Sequence, residues 1–218
     1  RSNEEERVET LLKNSTKRLS PRRLATWDYI DGINNVLNSN NLGSRQPMAA
    51  LEWLKKVDKS SPTILLLKDF HHFCEDPGIS RMLKNLSIKL RNTSHNIIIS
   101  STNWIPPNDL DDILTILDLP LPNQSELKTL LINIANASSS KLDNDVIEEL
   151  TRACSGLSES RVKQVAARAL AQRGKLGRED LLEVLEEKRQ NIARSEVLEY
   201  CEIKATKADI GGLDALKK

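Results

Sequence analysis

The sequence predicts an α/β core, with a parallel sheet covered by helices on both faces, followed by a small four-helix domain. Three observations predict it. Short apolar runs without polar alternation recur through the first 120 residues, as strands buried on both faces require. Helix-period segments separate them, the spacing of crossover connections. From 123 to about 192 no strand pattern remains, and four helical segments follow one another between Gly, Ser and Asn breaks.

Taken in order, "SNEEERVETLLKNSTKRL" (2–19) reads as a helix. Ser2 and Glu5 stand at capping-box spacing, acidic residues fill the first turn, and Val8, Leu11, Leu12 and Leu19 form an apolar stripe. "RLATWD" (23–28) is a short strand, and the Asn/Gly/Ser-rich "DGINNVLNSNNLGS" (31–44) is a loop. Pro47 starts a helix at no cost in hydrogen bonds, with Met48, Leu51, Leu54 and Val57 on one face. "TILLLK" (63–68), after Pro62, is a buried strand. Pro77 and Gly78 introduce a helix carrying Ile79, Met82, Leu83, Leu86 and Leu90, and "NIIISS" (96–101) is a second buried strand. "ILTILDLPLP" (113–122) reads as a helix end and then a strand closed by prolines.

The second half opens at Asn123 and Glu126, another capping-box pair, and Gly156 and Gly174 mark helix ends. The predicted organisation is an α/β core over 1–122, a helical domain over 123–192, and a linker with the start of a further domain over 193–218. The chain opens on Arg1 and closes on "GGLDALKK", which reads as a piece of something longer.

Composition narrows the function. Hydrophobic residues make up 39% but aromatics only 3%, so the core must be aliphatic. A formal net charge of +1 supplies no general attraction to nucleic acid. No run approaches the roughly 18 apolar residues of a membrane span, and the first residues carry no signal-peptide pattern. Cys74, Cys154 and Cys201 are few, odd in number and dispersed, which fits a reducing compartment. His71, His72 and Cys74 lie close together in sequence, but they match no complete four-ligand spacing.

In a parallel sheet, ligands bind outside the carboxyl ends of the strands. Here those ends carry Asp69 and the run Ser100, Ser101, Thr102 and Asn103. "IIISSTNWIPPNDLDD", "DLPLPNQSELKTLL" and "ELTRACSGLSESRVKQVAARAL" resemble, respectively, the sensor-one strand, the entry to the helical lid and the sensor-two segment of AAA+ ATPases. "DIGGLDALKK" (209–218) resembles the opening of a second AAA domain. More narrowly, "SNEEERVETLL", "TWDYIDGI" and above all "ILLLKDFHHFCEDPGISRMLKNL" resemble the AAA-domain proteins of cyanobacteria and algal plastids. In that family a degenerate AAA-like region precedes a second domain with complete ATPase motifs.

The resemblance implies that this chain is the degenerate half. Its partner would be the second AAA domain of the same polypeptide, which would hold ATP and magnesium, with a homo-oligomer as a further possibility. Its location would be the cyanobacterial cytoplasm or the plastid stroma. Asp69, Asn103 and Arg161 fall on the family's nucleotide-site positions: acidic strand, sensor one and sensor two. No catalytic residue and no metal ligand is expected in this chain.

Two losses carry the degenerate reading. No G-x-x-x-x-G-K-[ST] loop occurs. Its expected place, roughly 50–70 residues ahead of the acidic strand, holds "SNEEER". Carboxylates there repel a triphosphate by about 1–4 kcal/mol per close contact, although an ordinary acidic first turn accounts for them fully.

The acidic strand is also incomplete, and two registers fit. If Asp69 is the magnesium ligand, Phe70 replaces the general base. If Asp69 is the base, Lys68 replaces the magnesium ligand. A third reading makes Lys68 a simple partner for Asp69 or a neighbouring acid.

Two alternatives to an assembly or regulatory role remain. One is weak nucleotide binding through surviving elements. The other is nucleic-acid binding through the basic "RVKQVAARALAQRGKLGR" (161–178). Finally, the strand that should precede the phosphate loop is missing, which predicts an empty or substituted central slot in the sheet.

Overall fold

The computed structural model describes residues 1–2, 4–18, 22–34, 45–140 and 142–194. Two compact units divide at Pro120 and Leu121. The first contains α1 (Glu5–Arg18), β1 (Arg23–Asp28), β2 (Gly32–Asn34), α2 (Pro47–Lys56), β3 (Thr63–Lys68), α3 (Pro77–Leu90), β4 (Asn96–Ser100) and a single turn, α4 (Asn108–Asp111). The strands form one sheet in the order β2-β1-β3-β4, with β1, β3 and β4 parallel and β2 antiparallel to β1.

The two faces of the sheet are covered differently. Ala25, Trp27, Leu65 and Leu67 point to one side and join Leu51 and Leu54 of α2 and Leu83 and Leu86 of α3 in one core. This is the period-2 alternation of strands meeting the 3.6 period of two amphipathic helices. Helix α1 contributes nothing to that core and packs on β1, so it covers the other face, where Thr26 and Leu66 are also buried.

The expected stripe on α1 is shallow. Val8 and Leu12 are half-buried, Leu11 is exposed, and Leu19 lies outside the described residues. The deeply buried positions are polar: Glu4, Arg7 and Thr16. The capping pair is displaced too. Ser2 Oγ accepts from Glu4 N at 3.0 Å, and the helix begins only at Glu5.

Two expectations about the sheet need correction. Gly32–Asn34, expected within a loop, pairs with β1 as a hairpin strand; residues 35–44 lie outside the described residues. Residues 113–122 form no strand, and the helical turn expected at 113 falls earlier, at α4. The four strands of the ladder follow one another without a break, and the slot expected to be empty or substituted falls beside β4.

The reason that 113–122 forms no strand lies at the far edge of β4. Among the described residues, β4 pairs in the ladder only with β3, so its far edge bounds the sheet. Segment 117–119 meets not a strand but the first residues of the chain. Leu119 N donates to Arg1 O at 3.1 Å, Arg1 N donates to Leu117 O, and Ser2 N donates to Ser101 O at 2.8 Å. Arg1 and Ser2 thus lie between the end of β4 and 117–119, with too short a stretch of backbone to register as a strand.

The second unit is four helices: α5 (Gln124–Ala137), α6 (Asn144–Cys154), α7 (Glu159–Arg173) and α8 (Asp180–Arg194). Asn123 and Glu126 make both halves of the expected capping box. Gly156 and Gly174 take positive φ, of 88° and 70°, just past α6 and at the end of α7, where a side chain would be strained. Leu127, Leu131, Leu150, Val162, Val165 and Val184 make up most of its main core. No helix among the described residues is long and apolar enough to cross a membrane.

Candidate functional site

The carboxyl ends of β3 and β4 are where a parallel sheet presents ligand-binding groups. At the end of β3 the chain turns sharply. Asp69 adopts a left-handed φ of 52°, its N–H donates to Ser100 O at 3.0 Å, and a 3-10 turn runs over Phe70–Phe73. Asp69 itself is exposed. The reversal sends Phe70 inward rather than toward the site. It is fully buried, with its ring edge-on to Trp27 at 5.2 Å. Position 70 therefore belongs to the core, and in the register that makes Asp69 the magnesium ligand no base follows it.

Lys68 faces the site instead. Its Nζ lies 3.0 Å from Glu5 Oε1 and 3.0 Å from Glu9 Oε2, both on α1. Glu9 also pairs with Lys13 at 2.6 Å. Burial alone would lower the Lys68 ammonium, but its bonds to Glu5 and Glu9 outweigh this and raise it above the ordinary lysine value. Glu9 is held below the usual carboxylate range, first by Lys13 and then by Lys68. The third reading of Lys68, a cation partnered by an acid, is the one observed, with acids of α1 rather than Asp69 as its partners. The acids are those of "SNEEER" and the turn after it.

His71 and His72 follow with rings 4.0 Å apart. The His71 imidazole is pushed below its ordinary value, first by desolvation and then by His72. No group of three or more potential metal ligands gathers among the described residues. Cys74 and Cys154 are buried, and burial pushes both thiols up to about 11; as protonated thiols at neutral pH they are poor nucleophiles. Cys201 lies outside the described residues.

Two of the three candidate nucleotide positions, Asp69 and Asn103, lie in the first compact unit, and Arg161 lies in the second. Asp69 and Asn103 both follow the carboxyl end of a strand, and Asn103 is exposed. Arg161 belongs to the second unit. Its Nη1 donates to Glu187 Oε1 at 2.9 Å, and Glu187 is only 4% exposed and also receives Arg168. Sequence reasoning missed Glu187 and the pairing of Lys68 with Glu5 and Glu9. The Lys68 contacts join residues some sixty positions apart on different elements, which no local spacing reveals.

A family model for the SpoVK-like AAA ATPase N-terminal domain matches residues 1–119, and one for the second domain of the same family matches 125–195. The uncharacterized AAA domain-containing protein ycf46 of Trieres chinensis is 35% identical over 98% of this chain, and that of Guillardia theta is 37% identical over 98%. The match covers 43% and 42% of those proteins, so the chain spans less than half their length. Among solved structures, two variants of Thermotoga maritima RuvB superpose with TM-scores of 0.46 and 0.48 at 12% and 11% identity, over 65% and 82% of this chain and 49% and 57% of theirs.

Proposed function

This chain belongs to the SpoVK-like AAA ATPase family, and we propose that it is a non-catalytic AAA-type module serving assembly, regulation or partner recognition for an ATP-hydrolysing domain elsewhere in the same polypeptide. One observation carries the reading: the ion triad of Lys68 with Glu5 and Glu9 at the carboxyl end of β3. Phosphoryl transfer in such folds needs a carboxylate on magnesium at that strand end and N–H groups and a lysine around the phosphates. Here the strand end supplies an ammonium, and the facing helix supplies carboxylates. The polarity is inverted, and with Lys13 on Glu9 the charges balance without a ligand.

Two further features support it. Arg161 is held by a buried glutamate. Phe70 is committed to the core. ATP and magnesium are assigned to the remaining length of the polypeptide, whose relatives are more than twice as long as this chain. The algal relatives fit a plastid setting. Homo-oligomerisation stays a proposal of the same rank.

Calorimetric titration of this chain with a non-hydrolysable ATP analogue and magnesium tests the reading. The expected result is no saturable heat and no phosphate release from ATP. Micromolar binding would return Asp69 and Asn103 to a working nucleotide site and overturn it.

A further inference from the structure

The first two turns of α1 make contacts in three directions. Glu5 and Glu9 hold Lys68 at the end of β3. Arg7, 8% exposed and paired at 2.9 Å with Glu4, itself 4% exposed, donates from Nη1 to Pro120 O at 2.6 Å. Just ahead of the helix, Ser2 is bonded to Ser101 past the end of β4, and Arg1 to the backbone of 117–119. Arg1 also pairs with Asp118, Nε to Oδ1, at 2.7 Å. Pro120 is the last residue of the first compact unit.

These contacts are matched to burial. Glu4 and Arg7 are charges out of water, and their ion pair offsets part of the cost of burying them. Arg7 has a further donor, spent on a carbonyl that no strand ladder satisfies, since 113–122 is not in the sheet. The carboxyl end of the sheet is normally a ligand's place; at β3 it is closed by the charges of α1.

We propose that the first two turns of α1 form an internal charge bridge that transmits the position of the β3 end to the exit segment 117–120, so that this segment is ordered by the polypeptide itself and does not respond to magnesium–nucleotide. The proposal deepens, and rests on, the non-catalytic reading above. Lys68 anchors one end of the bridge, and Arg7 and Arg1 anchor the other.

Hydrogen–deuterium exchange on the chain tests it with two native reporters. Val8 N–H, bonded to Glu4 O at 3.0 Å, reports the first turn of α1, and Leu119 N–H, bonded to Arg1 O, reports the exit segment. Lys68→Gln should speed exchange at both by about three- to tenfold, while β1 and β3 amides stay protected. Glu5→Gln/Glu9→Gln, which removes the bridge from its solvent side, should reproduce the pattern. Combining all three changes should add little, as expected for one shared interaction.

If Lys68→Gln unfolds the sheet, the glutamate pair carries the test by itself. Lys84→Gln, which removes a contact to the exposed Asp109, should move neither reporter. A loosened Val8 with Leu119 at its wild-type rate would overturn the bridge and leave the functional reading standing. Protection of residues 63–72 by an ATP analogue, with the variants behaving as expected, would sink the functional reading and leave the bridge.

Discussion

At the scale of single residues, the acidic-strand region shows how one backbone angle redirects chemistry. Lys68, Asp69 and Phe70 are consecutive, yet the left-handed turn at Asp69 sends them to an ion triad, to solvent and to the core respectively. Phe70 sits among Trp27 and Phe73, with ring centroids 5.2 and 5.8 Å away. Removing it leaves a cavity that rigid strand neighbours cannot fill. Phe70→Ala should therefore cost about 3–5 kcal/mol in urea denaturation. Phe70→Glu, which writes a general base back into the motif, should cost at least as much, because its carboxylate enters apolar surroundings unpaired. It should also release no phosphate from ATP. A Phe70→Glu protein with a wild-type denaturation midpoint would show that position 70 faces the site after all.

At the scale of elements, what the sequence disclosed depended on whether the signal was local. Capping chemistry is local, so Asn123 with Glu126, and the glycines after α6 and α7, were readable directly. Buried strands announce themselves by unbroken apolar runs, as β3 does. Residues 113–122 also carry apolar positions, but their backbone partner is the short stretch at Arg1, and pairing is a property of the assembled sheet. The buried face of α1 was illegible for a related reason. Its value lies in charges that meet partners on β3 and at Pro120, so an apolar-stripe criterion looks at the wrong side.

The same charges give α1 a pH signature. Glu9 titrates below its ordinary value of 4.5, so its stabilising contribution is present above that value and fades as pH falls through the depressed one. Lys68 is raised, so its contribution is complete below its ordinary 10.5 and is lost only on passing above its folded value. Between these limits the anchor is constant. The difference in denaturation midpoint between wild type and Glu9→Gln should hold steady around neutrality and close in acid. A difference that persists once both proteins carry a neutral side chain at position 9 would tell against the ion pairs as its source.

At the scale of the whole molecule, the question is where the charge of a nearly neutral chain is directed. The segment 161–178 looked basic enough in sequence to serve a polyanion, but sequence does not show partners. In the helical unit Arg161 and Arg168 share Glu187, Arg173 pairs with Asp180 and Glu183, Arg178 pairs with Glu149 at 2.8 Å, and Lys163 pairs with Glu159 at 2.9 Å. Asp180 and Glu187 are buried, so freeing their arginines would strand a carboxylate in the interior, at a cost that surface phosphate contacts do not offset. Tight nucleic-acid binding needs cations free to displace condensed counterions, and the number displaced sets the salt slope. The prediction is that labelled duplex DNA or RNA shows no saturable anisotropy change at physiological salt, and at low salt only weak binding with a shallow slope. Glu187→Gln should expose the reserve by releasing Arg161 and Arg168, which strengthens binding and steepens the slope. Steep salt dependence already present in the wild type would mean that these ion pairs open without cost, and the nucleic-acid reading would replace the assembly role.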